Sequence, residues 1–185
     1  MDRLVPAASL LLVVDVQERL AAVMPKDAQE RLLQNTSLLL DAAASLEVPV
    51  VASEQYPKGL GATLAPVLER LSKRGARPID KLSFDASAEP RIALEIARMA
   101  PRAIVVVGME AHVCVFQTAR ELLRRGYAVH VVADAVASRT DENRRAGLAL
   151  AERAGACITV AEVVVFDWLE RAGTDAFRAV SKLMR

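Results

Sequence analysis

Three side chains in this 185-residue chain have types and settings that could do covalent chemistry together: Asp15, Lys81 and Cys114. Cys114 falls where apolar residues begin to recur at helical spacing. A thiol in the first turn of a helix meets the positive end of the macrodipole and unpaired N–H groups, both of which favour thiolate. A neighbouring ammonium lowers its pKa further, and a carboxylate within hydrogen-bond reach can take its proton and return it to a leaving group. Lys81 and Asp15 could fill those roles. His112, next door but one to the cysteine, and His130, inside a strand-like run, are poorly placed as alternatives. Taken singly, each residue of the set has a duller explanation: a buried small hydrophobe for the cysteine, a strand-ending cap for the aspartate, a solvated charge for the lysine.

The elements that must gather these residues alternate short β-branched runs with longer segments of helical periodicity, the pattern of βαβ units around a mainly parallel sheet. Strands are expected at 10–14, 50–52, 77–80, 103–107, 128–133 and 157–161. Helices are expected at 27–46, 63–73, 90–99, 113–125 and 141–154, with two more closing the chain. Pro57, Gly59 and Gly61 mark 53–61 as a loop, and 83–89 reads as another. No repeat or linker divides the chain, so one α/β domain over 1–185 is expected. In open parallel sheets ligands bind beyond the carboxyl ends of the strands. Asp15 follows the first strand, Lys81 the third, and Cys114 the fourth, so all three are expected on that edge.

Composition removes other classes. Apolar residues make up 53%, with only 8 Gly and 8 Pro, which argues against disorder. The balance of 24 Lys+Arg against 23 Asp+Glu, without a basic block, argues against nucleic acid as the main partner. The few aromatics are too scattered for a base-stacking platform. No run reaches the roughly 18 apolar residues of a membrane span, and the apolar start ends on Asp15 without a cleavage-like site, so a strand and no membrane partner are expected. Cys114 and Cys157 make neither a disulfide framework nor a CxxC pattern, which suits a reducing cytoplasm. No G-x-G-x-x-G follows the first strand, where the chain reads Asp15-Val16-Gln17-Glu18-Arg19, so no dinucleotide is expected.

LLVVDVQ at 11–17, DKLSF at 80–84 and GMEAHVCVFQTA at 108–119 resemble, in order and spacing, the three signatures of the isochorismatase-like, or cysteine hydrolase, superfamily. ADAVASRT at 133–140 and the SKL near the end are similar to the isochorismatase domain-containing branch. The resemblance implies a three-layer αβα sandwich with a Rossmann-like six-stranded parallel sheet. It assigns Asp15, Lys81 and Cys114 to a catalytic triad, a cis peptide to Met109–Glu110, and an oxyanion hole to the backbone N–H groups of Glu110 and Cys114. Pocket walls are expected from Gln17, Glu54, Tyr56, Phe84 and Phe116. Nicotinamidases of this superfamily bind a metal through histidines after the second strand. Here that segment reads Ser53-Glu54-Gln55-Tyr56-Pro57-Lys58-Gly59, so neither a metal nor another cofactor is expected.

The expected activity is hydrolysis of a C–N bond in a small amide or carbamoyl compound through a thioester. The alternatives are isochorismatase-type ether or ester cleavage with Cys114 a bystander, and a non-catalytic redox-sensing or scaffold role. A homo-oligomer is also expected, with Phe177, Val180, Leu183 and Met184 on the last helix offering an apolar stripe either for self-association or for packing on the chain's own sheet.

Overall fold

The run Ser9–Val14 is apolar after its first residue because both faces of it must be covered. Leu11 and Val13 enter one apolar layer, while Leu10, Leu12 and Val14 enter the other. A strand buried on both sides loses the polar alternation of a half-exposed one. In the computed structural model, which describes residues 3–184, this run is strand β1.

The chain then forms α1 (Glu18–Ala21), α2 (Lys26–Ser45), β2 (Val50–Gln55), α3 (Pro57–Leu60), α4 (Ala65–Lys73) and β3 (Ile79–Lys81). After α5 (Pro90–Met99) come β4 (Ala103–Met109), a π-helical turn (Ala111–Val115) and α6 (Phe116–Arg124). The chain closes with β5 (Ala128–Ala137), α7 (Asp141–Arg153), β6 (Cys157–Thr159), α8 (Ala161–Leu169) and α9 (Asp175–Val180). Local chemistry sets several boundaries. Pro90 opens α5 at a position where a missing N–H costs nothing, and the Thr140 hydroxyl accepts the Asn143 N–H to cap α7.

All six strands pair parallel in the order β3-β2-β1-β4-β5-β6. Residues of α2, α4, α8 and α9 fill the apolar layer on one face, and residues of α5, α6 and α7 fill the other. The α/β sandwich and the strand number therefore agree with the sequence reading. The connection after β1 leaves to one face and that after β4 to the other, so β1 and β4 form the switch point where a crevice opens beyond the strand ends. Gly108 lets them close up: a Cβ there would lie 1.9 Å from the Val14 carbonyl oxygen.

Two expectations are corrected. Residues 53–55 belong to β2 and are not loop, because Ser53, Glu54 and Gln55 pair with Ile79, Asp80 and Lys81 of β3. Strand β5 runs on to Ala137, past a register shift opposite Val106 and Gly108. The last-helix stripe packs on its own sheet: Val180 is buried, Phe177 and Met184 lie against the same apolar layer, and only Leu183 stands exposed. Among the described residues no helix is long and apolar enough to cross a membrane.

Candidate functional site

Asp15 is the first residue beyond β1, and its φ of 51° turns the chain sharply off the sheet. Aspartate tolerates this left-handed conformation better than most residues. Its side chain is 0% exposed. The Ser53 hydroxyl donates to Oδ1 at 2.7 Å. The Lys81 Nζ stands 2.7 Å from Oδ2, at ion-pair distance but outside hydrogen-bond angles, so this buried oxygen has no hydrogen-bond donor among the described residues.

Lys81 ends β3 instead of lying just past it. Its side chain is also wholly excluded from solvent. Nζ donates to Gln55 Oε1 at 2.6 Å and to the Ser83 carbonyl at 3.1 Å. Gln55 is itself held, donating from Nε2 to the Leu82 carbonyl at 2.8 Å. Two buried charges are tolerable only when paired and hydrogen-bonded, and both conditions are met here. Ser53 and Gln55 support the pair; Ser53 was not among the expected site residues, and Gln55 was expected only as part of the 54–59 pocket loop. Their signal in the sequence is the polar residue at alternate positions where an apolar strand runs out.

Cys114 lies in the π-helical turn Ala111–Val115 and is 5% exposed. The sequence reading expected a depressed thiol pKa, and the structure reverses it: the thiol is pushed up to about 12. Burial is the main cause, followed by the Asp15 charge; the Lys81 ammonium pulls the other way and loses. The three side chains expected to work together thus share one buried neighbourhood, with the sulfur held as a thiol.

Glu110 bridges β4 and the turn, and the Met109–Glu110 peptide is cis. Its carbonyl accepts N–H groups from Val113 at 3.0 Å and Val115 at 3.2 Å. His112 stands to one side, its Nδ1 3.1 Å from the Ser138 hydroxyl.

The expected walls divide. Gln17 is buried and fastens the loops, donating to the carbonyls of Gln55 at 3.0 Å and Gly61 at 2.7 Å and accepting the Gln55 N–H at 2.8 Å. Glu54 accepts both the N–H and the hydroxyl of Thr63 at 2.6 Å. Both carry hydrogen bonds that tie the loops at this edge together. Tyr56 and Phe84 are exposed, and Phe116 is half-buried beneath the Arg120 guanidinium. A cavity of about 460 Å³ on the β3 side is lined by Tyr56, Lys58, Lys81, Leu82 and Ser83 among others; it meets the site at Lys81, and neither Asp15 nor Cys114 lines it. A larger cleft of about 1070 Å³, with Arg102, His130 and Cys157 in its wall, touches none of Asp15, Lys81 and Cys114 and opens at the opposite, amino-terminal edge of the strands. Among the described residues no cluster of three or more His, Cys, Asp or Glu is placed to hold a metal ion.

Comparison with known proteins gives a consistent picture. Human isochorismatase domain-containing protein 2 is 33% identical over 186 residues, spanning 100% of this chain and 87% of that protein. The secreted isochorismatase effector Isc1 of Phytophthora sojae is 35% identical over 191 residues, spanning 100% and 88%. The structure of MAR1 ribonuclease from Caenorhabditis elegans superposes with a TM-score of 0.90 at 36% identity, covering 99% of this chain and 92% of that one. Escherichia coli YcaC, described as an octameric hydrolase of unknown specificity, shares the fold with a TM-score of 0.91 at 19% identity, covering 98% and 89%. With residues 9–162 matching the Isochorismatase domain, the chain belongs to that family, a family of hydrolases.

Proposed function

We propose that this protein is a cysteine hydrolase that cleaves a C–N bond in a small amide or carbamoyl compound. The observation that carries the reading is the solvent-free ion pair of Lys81 and Asp15 acting directly on the Cys114 thiol. In the resting site the sulfur carries its proton. Attack on a carbonyl transfers the thiol proton to Asp15 as the S–C bond forms, so one negative charge moves from oxygen to sulfur while Lys81 stays beside it. Oδ2 of Asp15, ion-paired with Lys81, is the acceptor in this reading. Backbone N–H groups of Glu110 and Cys114 receive the carbonyl oxygen as it becomes an oxyanion. Protonated Asp15 then delivers its proton to the departing nitrogen, leaving an acyl-enzyme thioester. Water deprotonated by Asp15 attacks the thioester, and the acid and free thiol are released.

The test is a screen of small amides and carbamoyl compounds for ammonia or amine release, with acid-quenched protein taken for mass spectrometry. Turnover with an acyl group on Cys114, both absent in Cys114→Ala, supports the reading. Undiminished turnover in Cys114→Ala overturns it and favours ether or ester cleavage with the cysteine a bystander. Because the similar C. elegans protein is described as a ribonuclease, an RNA oligonucleotide belongs in the same screen. RNA cleavage retained in Cys114→Ala would move the chemistry away from sulfur. Cysteine oxidation at low peroxide without turnover of any compound would favour the redox-sensing role. The family proposal extends to self-association, which light scattering of the purified protein decides.

A further inference from the structure

We infer that the side chains of Glu110 and Arg139 form a positioning pair that holds the oxyanion-binding backbone in place and keeps its surroundings electrically neutral. The inference rests on the cysteine hydrolase reading and adds two residues to it that act through their neighbours.

Glu110 is 7% exposed, and a carboxylate buried one residue past β4 is costly unless its charge is met. Arg139, from the segment that joins β5 to α7, meets it three times. The Arg139 backbone N–H donates to Oε1 at 3.1 Å, Nε to the same oxygen at 3.0 Å, and Nη2 to Oε2 at 3.2 Å. A two-pronged guanidinium contact fixes orientation as well as distance. The Glu110 carbonyl is pinned independently by Val113 and Val115. With carbonyl and side chain both tied, the Cα of Glu110 and the N–H it carries have little freedom to turn away from Cys114.

The same segment grips the turn elsewhere. His112 meets Ser138, next to Arg139, and α7 runs so close that a Cβ on Gly147 would stand 2.5 Å from both the carbonyl carbon and the oxygen of Ala111. The electrostatic role follows from sign. A carboxylate beside a developing oxyanion opposes it, and the guanidinium cancels that opposition. Removing Arg139 alone should therefore harm more than removing both charges.

The experiment uses full-length protein in a Cys157→Ser background, leaving Cys114 as the sole thiol. Two probes consume that thiol differently. With p-nitrophenyl acetate, sulfur adds to the carbonyl, a tetrahedral oxyanion forms, and p-nitrophenolate leaves to give an acetyl thioester. With iodoacetamide, sulfur displaces iodide and no oxyanion arises. Arg139→Met is expected to slow acylation on the order of tenfold to a hundredfold while alkylation stays unchanged. Arg139→Lys restores part of the rate, and Glu110→Gln combined with Arg139→Met acylates faster than Arg139→Met alone. Acylation unchanged in Arg139→Met overturns the pair's role, and so does a parallel fall of both reactions, which marks a merely structural bridge. If the parent protein releases no p-nitrophenolate beyond a Cys114→Ser control, the cysteine hydrolase reading on which the pair rests fails.

Discussion

The ammonium of Lys81 and the carboxylate of Asp15 stand 2.7 Å apart with both side chains shut off from solvent, although 66 positions, counted as 81 minus 15, separate them in the chain. Truncating one member of such a pair leaves the other as an uncompensated buried charge. Lys81→Met should therefore cost about 3–5 kcal/mol of folding stability, read from denaturant unfolding. A loss inside experimental scatter would show that water reaches the pair in solution.

Asp15→Asn separates thiol reactivity from turnover. The Asp15 charge is, after burial, the largest cause holding the Cys114 thiol high. Without it the Lys81 ammonium faces the sulfur unopposed. Alkylation of Cys114 by iodoacetamide near neutral pH should quicken by about tenfold for each unit the pKa falls, while hydrolysis of any amide substrate disappears for want of a base. Slower alkylation in the variant would instead make Asp15 indispensable for activating the thiol.

Stability should also record the thiol. Its ordinary value is 9.0 and the folded one is about 12, so the native state prefers the protonated form more strongly than the unfolded chain does. For a group raised on folding, the stabilisation is complete below the unfolded pKa and is lost as pH climbs to the folded one. Unfolding free energy should decline between pH 9 and pH 12, the two values just given, and Cys114→Ala should flatten that decline. An identical slope in both proteins would assign the alkaline loss to other groups.

Gly147 offers a steric test from outside the ion pair. An alanine methyl would strike backbone atoms of Ala111 and His112 at 2.5–2.6 Å, and backbone cannot swing aside as a flexible side chain does. Gly147→Ala should destabilise by about 1–3 kcal/mol, the range for overpacking, and should slow acylation by p-nitrophenyl acetate because the turn carrying Cys114 is displaced. A variant as stable and reactive as the parent would mean that α7 can retreat freely.

The layout of strands was legible because burial on both faces writes an apolar run into the sequence, as at β1 and β4. The end of β2 was not. Ser53, Glu54 and Gln55 look like loop because polar residues usually do, yet each is satisfied by a partner far along the chain: Asp15, Thr63 and Lys81. The three reactive residues could be placed on one edge from strand ends alone. Their electrostatic balance could not, since helix-terminus reasoning is local whereas desolvation depends on everything packed around the sulfur. The pairing of Arg139 was illegible for the same reason: ADAVASRT at 133–140 stands out as a motif, but its partner, Glu110, lies on the neighbouring strand's extension, 29 positions away.

The strand order divides the sheet into two sets of three, β3-β2-β1 and β4-β5-β6, joined only along β1 and β4. Asp15 and Lys81 come from the first set and Cys114 from the second. On the proposed mechanism reactivity is a property of the seam: a chain severed in the connector between Met99 and Ala103 would yield two inert fragments, one bearing the proposed base and cation, the other the sulfur, and only their reassembly would restore the proposed activity.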